Sequence, residues 1–347
     1  MQLQKLYLQH FRRFDDQIFE LDPAMTIFLA ANGFGKTTVL EAAYLLSSGK
    51  SFRAEKTMET ITFNQEMARV YGLLDDQTKL GVTLTTGLVN GRKAPSKLFT
   101  VSEAKKRQSD FIGHLLAVCF RPEDLRLIEG SPARRREYLD QPLILVSDVY
   151  RQALKSYQAT LIRRNKLLTA IRDGEASSDS LPYWDQNLLT LGTLIHQHRQ
   201  AYLDFVNAEV PFWLAFHLVY DHSTVTEERL AKYRNAEIAC GHTLIGPHKD
   251  DFDITFDFNT GEQKSLFTYG SRGQHRMAVL WLKLAELQFL QTKTQQKPIL
   301  LLDDILSELD EKGQKMVVDL ATAQQTIVTT TDENMLDLFA QKKVIKF

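Results

Sequence analysis

The sequence predicts an α/β fold in two lobes, the first lobe assembled from both ends of the chain. Three observations predict it. Near the start, an apolar strand at 25–30 runs through the turn Ala31-Asn32-Gly33 into a helical pattern that begins at Lys36. Near the end, strand (298–302), helix (Glu311–Ala323), strand (Thr326–Thr330), helix and a last strand (343–347) follow one another in βαβ order, which implies a parallel sheet. A chain of 347 residues also exceeds what one hydrophobic core usually serves. The expected borders put 1–115 and 296–347 in the first lobe and 116–295 in the second. The second lobe is expected to carry a helical arm at about 148–213 and a further long helix at about 271–291.

Taken in order, 3–11 carries an extended pattern and 18–21 a second short run. After the strand at 25–30, Val39, Leu40, Ala43, Tyr44 and Leu46 recur at helical spacing. Strand-like runs follow at 68–74 and 80–86, then a turn at Asn90-Gly91 and the basic run Lys105-Lys106-Arg107. In the arm, Tyr150, Leu154, Tyr157, Leu161 and Leu168 line one helix ending near Asp173-Gly174. Trp184, Leu188, Leu191, Ile195, Tyr202 and Phe205 line a second. A polar stretch, 175–179, joins them, so an antiparallel pair is expected. Short strands at 215–220 and 253–258 flank Gly246-Pro247-His248, and a helix covers 276–291.

Composition leaves the function open. The chain is 44% hydrophobic and 24% charged, and its net charge of −1 argues against a nucleic-acid binder that relies on an overall positive field. A local basic patch is compatible with that balance. No apolar run reaches the ~18–20 residues of a membrane span, and the first residues do not read as a signal peptide, so a cytoplasmic protein is expected. The two cysteines, Cys119 and Cys240, match no metal-ligand spacing and are expected to be buried rather than bridged.

Four local motifs carry chemistry. Ala30-Ala31-Asn32-Gly33-Phe34-Gly35-Lys36-Thr37, followed by Thr38, fits the phosphate-binding P-loop except that Ala30 stands at the first glycine. Backbone N–H groups of 33–37 would cradle phosphates at the positive end of a helix, Lys36 would reach the β and γ phosphates, and Thr37 would ligate Mg²⁺. The apolar run Ile299-Leu300-Leu301-Leu302 ends in Asp303 and Asp304. At that place Asp303 would hold Mg²⁺, and Asp304 would polarise the attacking water. Asp304 is one methylene shorter than glutamate, so slow turnover is expected. Ser271-Arg272-Gly273-Gln274 opens a long helix about thirty residues before that strand and would bind a γ-phosphate held by an opposite subunit. Ser307-Glu308-Leu309-Asp310 follows directly after it, in the position of a loop that crosses a dimer interface. Together the four, in this order, specify an ABC-type P-loop ATPase head with ATP and Mg²⁺ as cofactors. A small-molecule kinase would leave the last two unexplained.

The chain resembles the RecF family over nearly its whole length. The residues that carry the resemblance begin with Leu3-Gln4-Lys5-Leu6 and Phe11-Arg12-Arg13-Phe14, then Lys50-Ser51-Phe52-Arg53. Phe120-Arg121-Pro122-Glu123-Asp124-Leu125, Gly130-Ser131-Pro132-Ala133-Arg134-Arg135-Arg136 and Leu139-Asp140 are the most distinctive. Arg164-Asn165, Trp184-Asp185, Gly246-Pro247-His248-Lys249-Asp250-Asp251 and Leu282-Lys283-Leu284-Ala285-Glu286 continue it. Departures are Ala30 for glycine, Lys249 where arginine is common, and 91–100, in which no family motif is recognised. With no histidine after Thr326–Thr330, one of Thr329, Thr330 and Thr331 would sense the γ-phosphate.

The resemblance implies an ATP-dependent homodimer that binds duplex DNA near single-strand gaps and, with RecO and RecR, promotes RecA loading in DNA repair and replication restart. Slow hydrolysis would release the clamp. The alternative is a nucleotide-binding scaffold with little ATPase activity that recruits protein partners, favoured by Ala30 and Asp304. Arg12, Arg13, Lys105, Lys106, Arg107, Arg134, Arg135, Arg163, Arg164 and Lys166 are the local basic concentrations able to meet DNA phosphates. Arg134, Arg135 and Arg136 could instead brace the nucleotide or the lobes.

Overall fold

The computed structural model describes residues 1–210, 212, 215–257 and 262–347. Trp213, at the expected end of the arm, and Phe258, at the expected end of a strand, lie outside the described residues. The chain divides into two compact units, Met1–Asp124 with Val279–Phe347, and Leu125–Ala278. The helix Arg272–Thr294 is therefore shared between the two units along its length.

The first unit holds two sheets and one helix between them. Strands Ala117–Phe120, Ile299–Asp303, Thr326–Thr330, Met25–Leu29 and Lys343–Lys346 lie in that order, all parallel. Every residue of Ile299–Asp303, Thr326–Thr330 and Met25–Leu29 is buried, as expected of parallel strands covered on both faces. The second sheet is antiparallel, in the order Phe14–Glu20, Leu3–Phe11, Met67–Leu74, Lys79–Thr85, Lys97–Val101, Ala104–Lys106. Its strand Met67–Leu74 alternates half-buried and buried residues, the period-two pattern of a sheet with one face on the core. Helix Lys36–Ser48 contributes Val39, Leu40, Ala42, Ala43, Leu45 and Leu46 to a core shared with Leu6, Leu8, Val70 and Val82 on one side and Phe28, Leu301 and Ile327 on the other.

Some local expectations change. The helix expected after Thr330 is a six-residue 3-10 helix, Glu333–Leu338, rather than an α-helix. The strands Lys97–Val101, Ala104–Lys106 and Ala117–Phe120, and the helices Pro132–Val146 and Glu227–Cys240, had no expectation behind them. Cys119 is buried, whereas Cys240 is only half-buried, and both are free thiols.

In the second unit, helices Asp148–Arg172 and Leu181–Glu209 run antiparallel: Tyr150 meets Arg199 near one end and Arg164 meets Asp185 near the other. Ser147 caps the first, accepting from the Tyr150 N–H at 3.1 Å. Their packing surface is unusual for its charge. Arg164, 1% exposed, donates to Asp185 at 2.9 Å, Glu237 at 2.6 Å and Thr243 at 2.8 Å. Arg199 donates to Asp140 at 2.8 Å and Asp250 at 2.7 Å. Asp250 also takes a hydrogen bond from the Ser223 N–H at 2.8 Å and lies 3.0 Å from His196 Nε2. Arg135 clasps Asp251 through two bonds, at 2.6 and 2.8 Å. Among the described residues no helix is long and apolar enough to cross a membrane.

Because Arg164 ties two buried carboxylates together, Arg164→Ala leaves the fully buried Glu237 without a cation, while Asp185 keeps Arg234 at 3.1 Å. The substitution is expected to cost about 3–5 kcal/mol of stability, read from the urea midpoint.

Candidate nucleotide site

The strand Met25–Leu29 ends at a loop whose backbone is set by two glycines. Gly33 and Gly35 have φ of 85° and 95°, in the left-handed region that L side chains rarely adopt. Gly35 is also crowded, since a Cβ there would lie 2.8 Å from Arg13 Cδ and 2.9 Å from the Phe14 ring. Ala30 has no positive φ, and its N–H donates to the Thr330 carbonyl at 3.3 Å, so alanine at this position strains nothing. Helix Lys36–Ser48 starts directly after Gly35, with no side-chain cap on its first amides. Ala31, Asn32, Gly33 and Phe34 are exposed, Thr37 is half-buried and Thr38 is buried. Such a turn presents successive N–H groups at the positive end of a helix, the geometry that holds phosphate.

Lys36 is buried and donates from Nζ to the carbonyls of Ala30 at 2.5 Å and Ala31 at 3.0 Å. Burial lowers its pKa, while Asp304 and then Asp303 act in the opposite direction. Its ammonium is thus held inside the loop within electrostatic reach of both acids.

Parallel pairing of Ile299–Asp303 with Thr326–Thr330 and of the latter with Met25–Leu29 brings residues far apart in sequence together. Asp303 Oδ1 accepts from Thr37 Oγ1 at 2.9 Å and from Thr329 Oγ1 at 2.7 Å. Burial raises the Asp303 pKa above the ordinary carboxylate value, and the two hydroxyls oppose that shift. A desolvated carboxylate beside a threonine hydroxyl is a hard-oxygen pair suited to Mg²⁺. Among the described residues no cluster of three or more His, Cys, Asp or Glu forms a metal cage. A cation here would therefore rely on Thr37, Asp303 and the ligand's own oxygens. Of the three candidate threonines, Thr329 is spent on Asp303, the Thr330 Oγ1 accepts from the Asp332 N–H at 3.1 Å, and Thr331 is exposed.

Asp304 leaves the strand with φ 52°, a left-handed conformation uncommon for a residue with a side chain, and its N–H donates to the Thr329 carbonyl at 3.0 Å. Ser307 turns back onto the Asp304 carbonyl at 3.0 Å, and Asp310 caps helix Glu311–Ala323 by accepting from the Gly313 N–H at 2.8 Å. In the other unit, Ser271 and Gln274 form a reciprocal capping box. The Ser271 N–H donates to the Gln274 side chain at 2.8 Å and the Gln274 N–H to the Ser271 hydroxyl at 3.3 Å. Ser271, Arg272 and Gly273 are exposed at that helix start.

Two residues outside the motifs also shape the loop. Arg13 donates to the Gly33 carbonyl at 2.5 Å and lies over the Phe34 ring at 5.3 Å. Arg12 clasps the fully buried Glu41, one turn into the P-loop helix, at 2.7 and 3.0 Å. Ser51 adds a 2.5 Å bond and Arg53 approaches to 3.8 Å. The sequence signal for this was an acid, Glu41, inside an otherwise apolar run, which demands a buried cation.

The loop, the Thr37–Asp303 pair and the parallel sheet behind them define an ABC-type P-loop ATPase head. The chain matches the RecF/RecN/SMC N-terminal domain model over residues 2–346. It is 34% identical over 359 residues to the DNA replication and repair protein RecF of Halothermothrix orenii, covering 96% of this chain and 92% of that protein. With the RecF of Thermoanaerobacter pseudethanolicus it shares 34% over 361 residues, covering 97% and 96%. The solved structure of the recombination mediator protein RecF-ATPrS in the RecFOR pathway superimposes with a TM-score of 0.88 at 31% identity, covering 99% of this chain and 95% of that one. This chain belongs to the RecF family of DNA replication and repair proteins.

Gly35→Ala is expected to cost about 1–2 kcal/mol from its backbone alone, with the Arg13 and Phe14 contacts adding to it. Ala30→Gly should stay within about 0.5 kcal/mol of the parent, so the two urea midpoints separate strained from unstrained positions. Asp303→Asn is expected to raise the urea midpoint at pH 7, because the folded carboxylate ionises at a cost that the amide avoids. That gain should shrink as pH falls through the raised Asp303 pKa, where protonation lifts the same cost from the parent.

Proposed function

We propose that this chain is an ATP-controlled DNA clamp of recombinational repair. Two copies close face to face on two nucleotides, grip duplex DNA near single-strand gaps and, with RecO and RecR, promote RecA loading. The observation that carries the reading is the convergence of Thr37, Asp303 and Thr329 beside a P-loop whose two strained positions are both glycine. A relative of the same fold, the recombination mediator protein RecF-ATP, points to the same ligand, with a TM-score of 0.86 at 31% identity.

In this reading residues 30–38 wrap the phosphates, and Lys36 leaves the Ala30 and Ala31 carbonyls for the β and γ phosphates. Mg²⁺ supplies charge neutralisation at the phosphates, held by Thr37 and Asp303. Asp304 orients the attacking water. Its short side chain on a left-handed backbone makes hydrolysis slow, so ATP acts as a timer for release rather than a source of work. Ser271, Arg272, Gly273 and Gln274 of each copy meet the γ-phosphate of the other, and Asp310 lies at the same interface.

Sedimentation with and without Mg-ATP and a short duplex tests this. Monomers that pair only with Mg-ATP, more tightly with DNA, support the clamp. A mass indifferent to ATP despite ATP binding supports the scaffold alternative. Ser271→Arg should bind ATP yet remain monomeric; robust dimers from it would remove 271–274 from the interface.

A further inference from the structure

The chain's net charge is −1, yet residues 90–107 contain Arg92, Lys93, Lys97, Lys105, Lys106 and Arg107 against a single acid, Glu103. That is a net +5, leaving the remaining residues at −6.

The fold gathers these charges at one end of a sheet edge. The hairpin Leu88–Val89/Arg92–Lys93 turns on Asn90 and Gly91, both with positive φ, and projects from the connection between Lys79–Thr85 and Lys97–Val101. The chain then reverses at Ser102-Glu103, with φ of 46° and 71°, and Ala104–Lys106 returns as the edge strand, Lys106 opposite Phe99. This antiparallel return carries Arg107 back towards Lys97. Lys97 donates to the Gly49 carbonyl at 3.1 Å, which sets it beside exposed Lys50. Burial lowers the Lys97 pKa, and the nearby Lys50 charge adds to the shift. Arg92, Lys93, Lys105, Lys106 and Arg107 are all exposed, and among the described residues none has an ion pair. Glu103, the one acid within the run, faces Lys79 at 3.3 Å, and Glu66 accepts from the Asn90 N–H of the hairpin turn at 2.7 Å.

Four of the seven other basic candidates are committed elsewhere, while Arg134, Arg163 and Lys166 are exposed. Arg12 holds Glu41, Arg13 the P-loop, Arg135 Asp251, and Arg164 two buried acids. We propose that the edge formed by Arg92, Lys93, Lys105, Lys106 and Arg107, with Lys50 beside it, is the surface on which this chain holds the phosphate backbone of duplex DNA. The inference rests on the clamp reading for the presence of DNA, and adds where it sits. Contacts of this kind are sequence-independent and release counterions, so they show in the salt dependence of affinity.

Lysines on an edge strand also guard against strand-to-strand aggregation. Charge reversal separates the two roles, because glutamate guards the edge equally well and repels phosphate. The test compares the parent with Lys93→Glu/Lys105→Glu/Lys106→Glu on a short fluorescent duplex, in Mg-ATP, across a salt series. Nucleotide-driven dimerisation without DNA, followed by sedimentation, verifies the variant's fold. The expected result is a dimerising variant whose affinity falls about tenfold or more at physiological salt, with a log–log salt slope shallower by about 2–3. Equal affinity and slope would overturn the surface while leaving the clamp reading intact. A parent that binds no duplex would overturn both.

Discussion

Strand Met25–Leu29 is flanked in its sheet by two strands from the far end of the chain, and the site follows from that constraint. Thr326–Thr330 pairs on one side and Lys343–Lys346 on the other. The pairing with Thr326–Thr330, and of that strand with Ile299–Asp303, brings the P-loop beside Asp303, which Thr37 reaches across 266 positions of sequence. Such pairing is slow to find, because loop-closure entropy must be met before the contacts repay it. The inner residues of these strands are accordingly all apolar or threonine, so no partly formed version leaves a charge to stabilise it.

The local devices were legible in the sequence: a turn demanding glycine, an acid at a strand end, a serine at a helix start. What could not be read was how distant charges would pair. Arg164 and Arg135 looked like members of surface basic runs, yet the first lies under two acids from other helices and the second against Asp251. Arg12 had the same appearance and braces the P-loop helix through Glu41. Charge near charge in sequence gives the composition of a patch but not which side of the backbone each residue faces.

Several elements escaped for a different reason. Ala104–Lys106 has no apolar alternation, since an edge strand with every residue exposed needs none. The turn that makes it, Ser102-Glu103, takes positive φ at both positions without glycine, so the usual hairpin signature is missing. The segment Glu333–Leu338 carries helical spacing in too short a run, and it settles as a six-residue 3-10 helix capped at its start by Asp332.

The capping box at Ser271 and Gln274 has a thermodynamic consequence. The Ser271 and Gln274 N–H groups already have protein partners, so that part of the helix start makes less demand on an anion. An incoming phosphate gains only the difference between its own hydrogen bonds and those it displaces. An exchange of nearly equal partners is shallow in free energy and quickly undone. In the clamp reading proposed above, such an exchange would let that helix end engage and release a phosphate repeatedly.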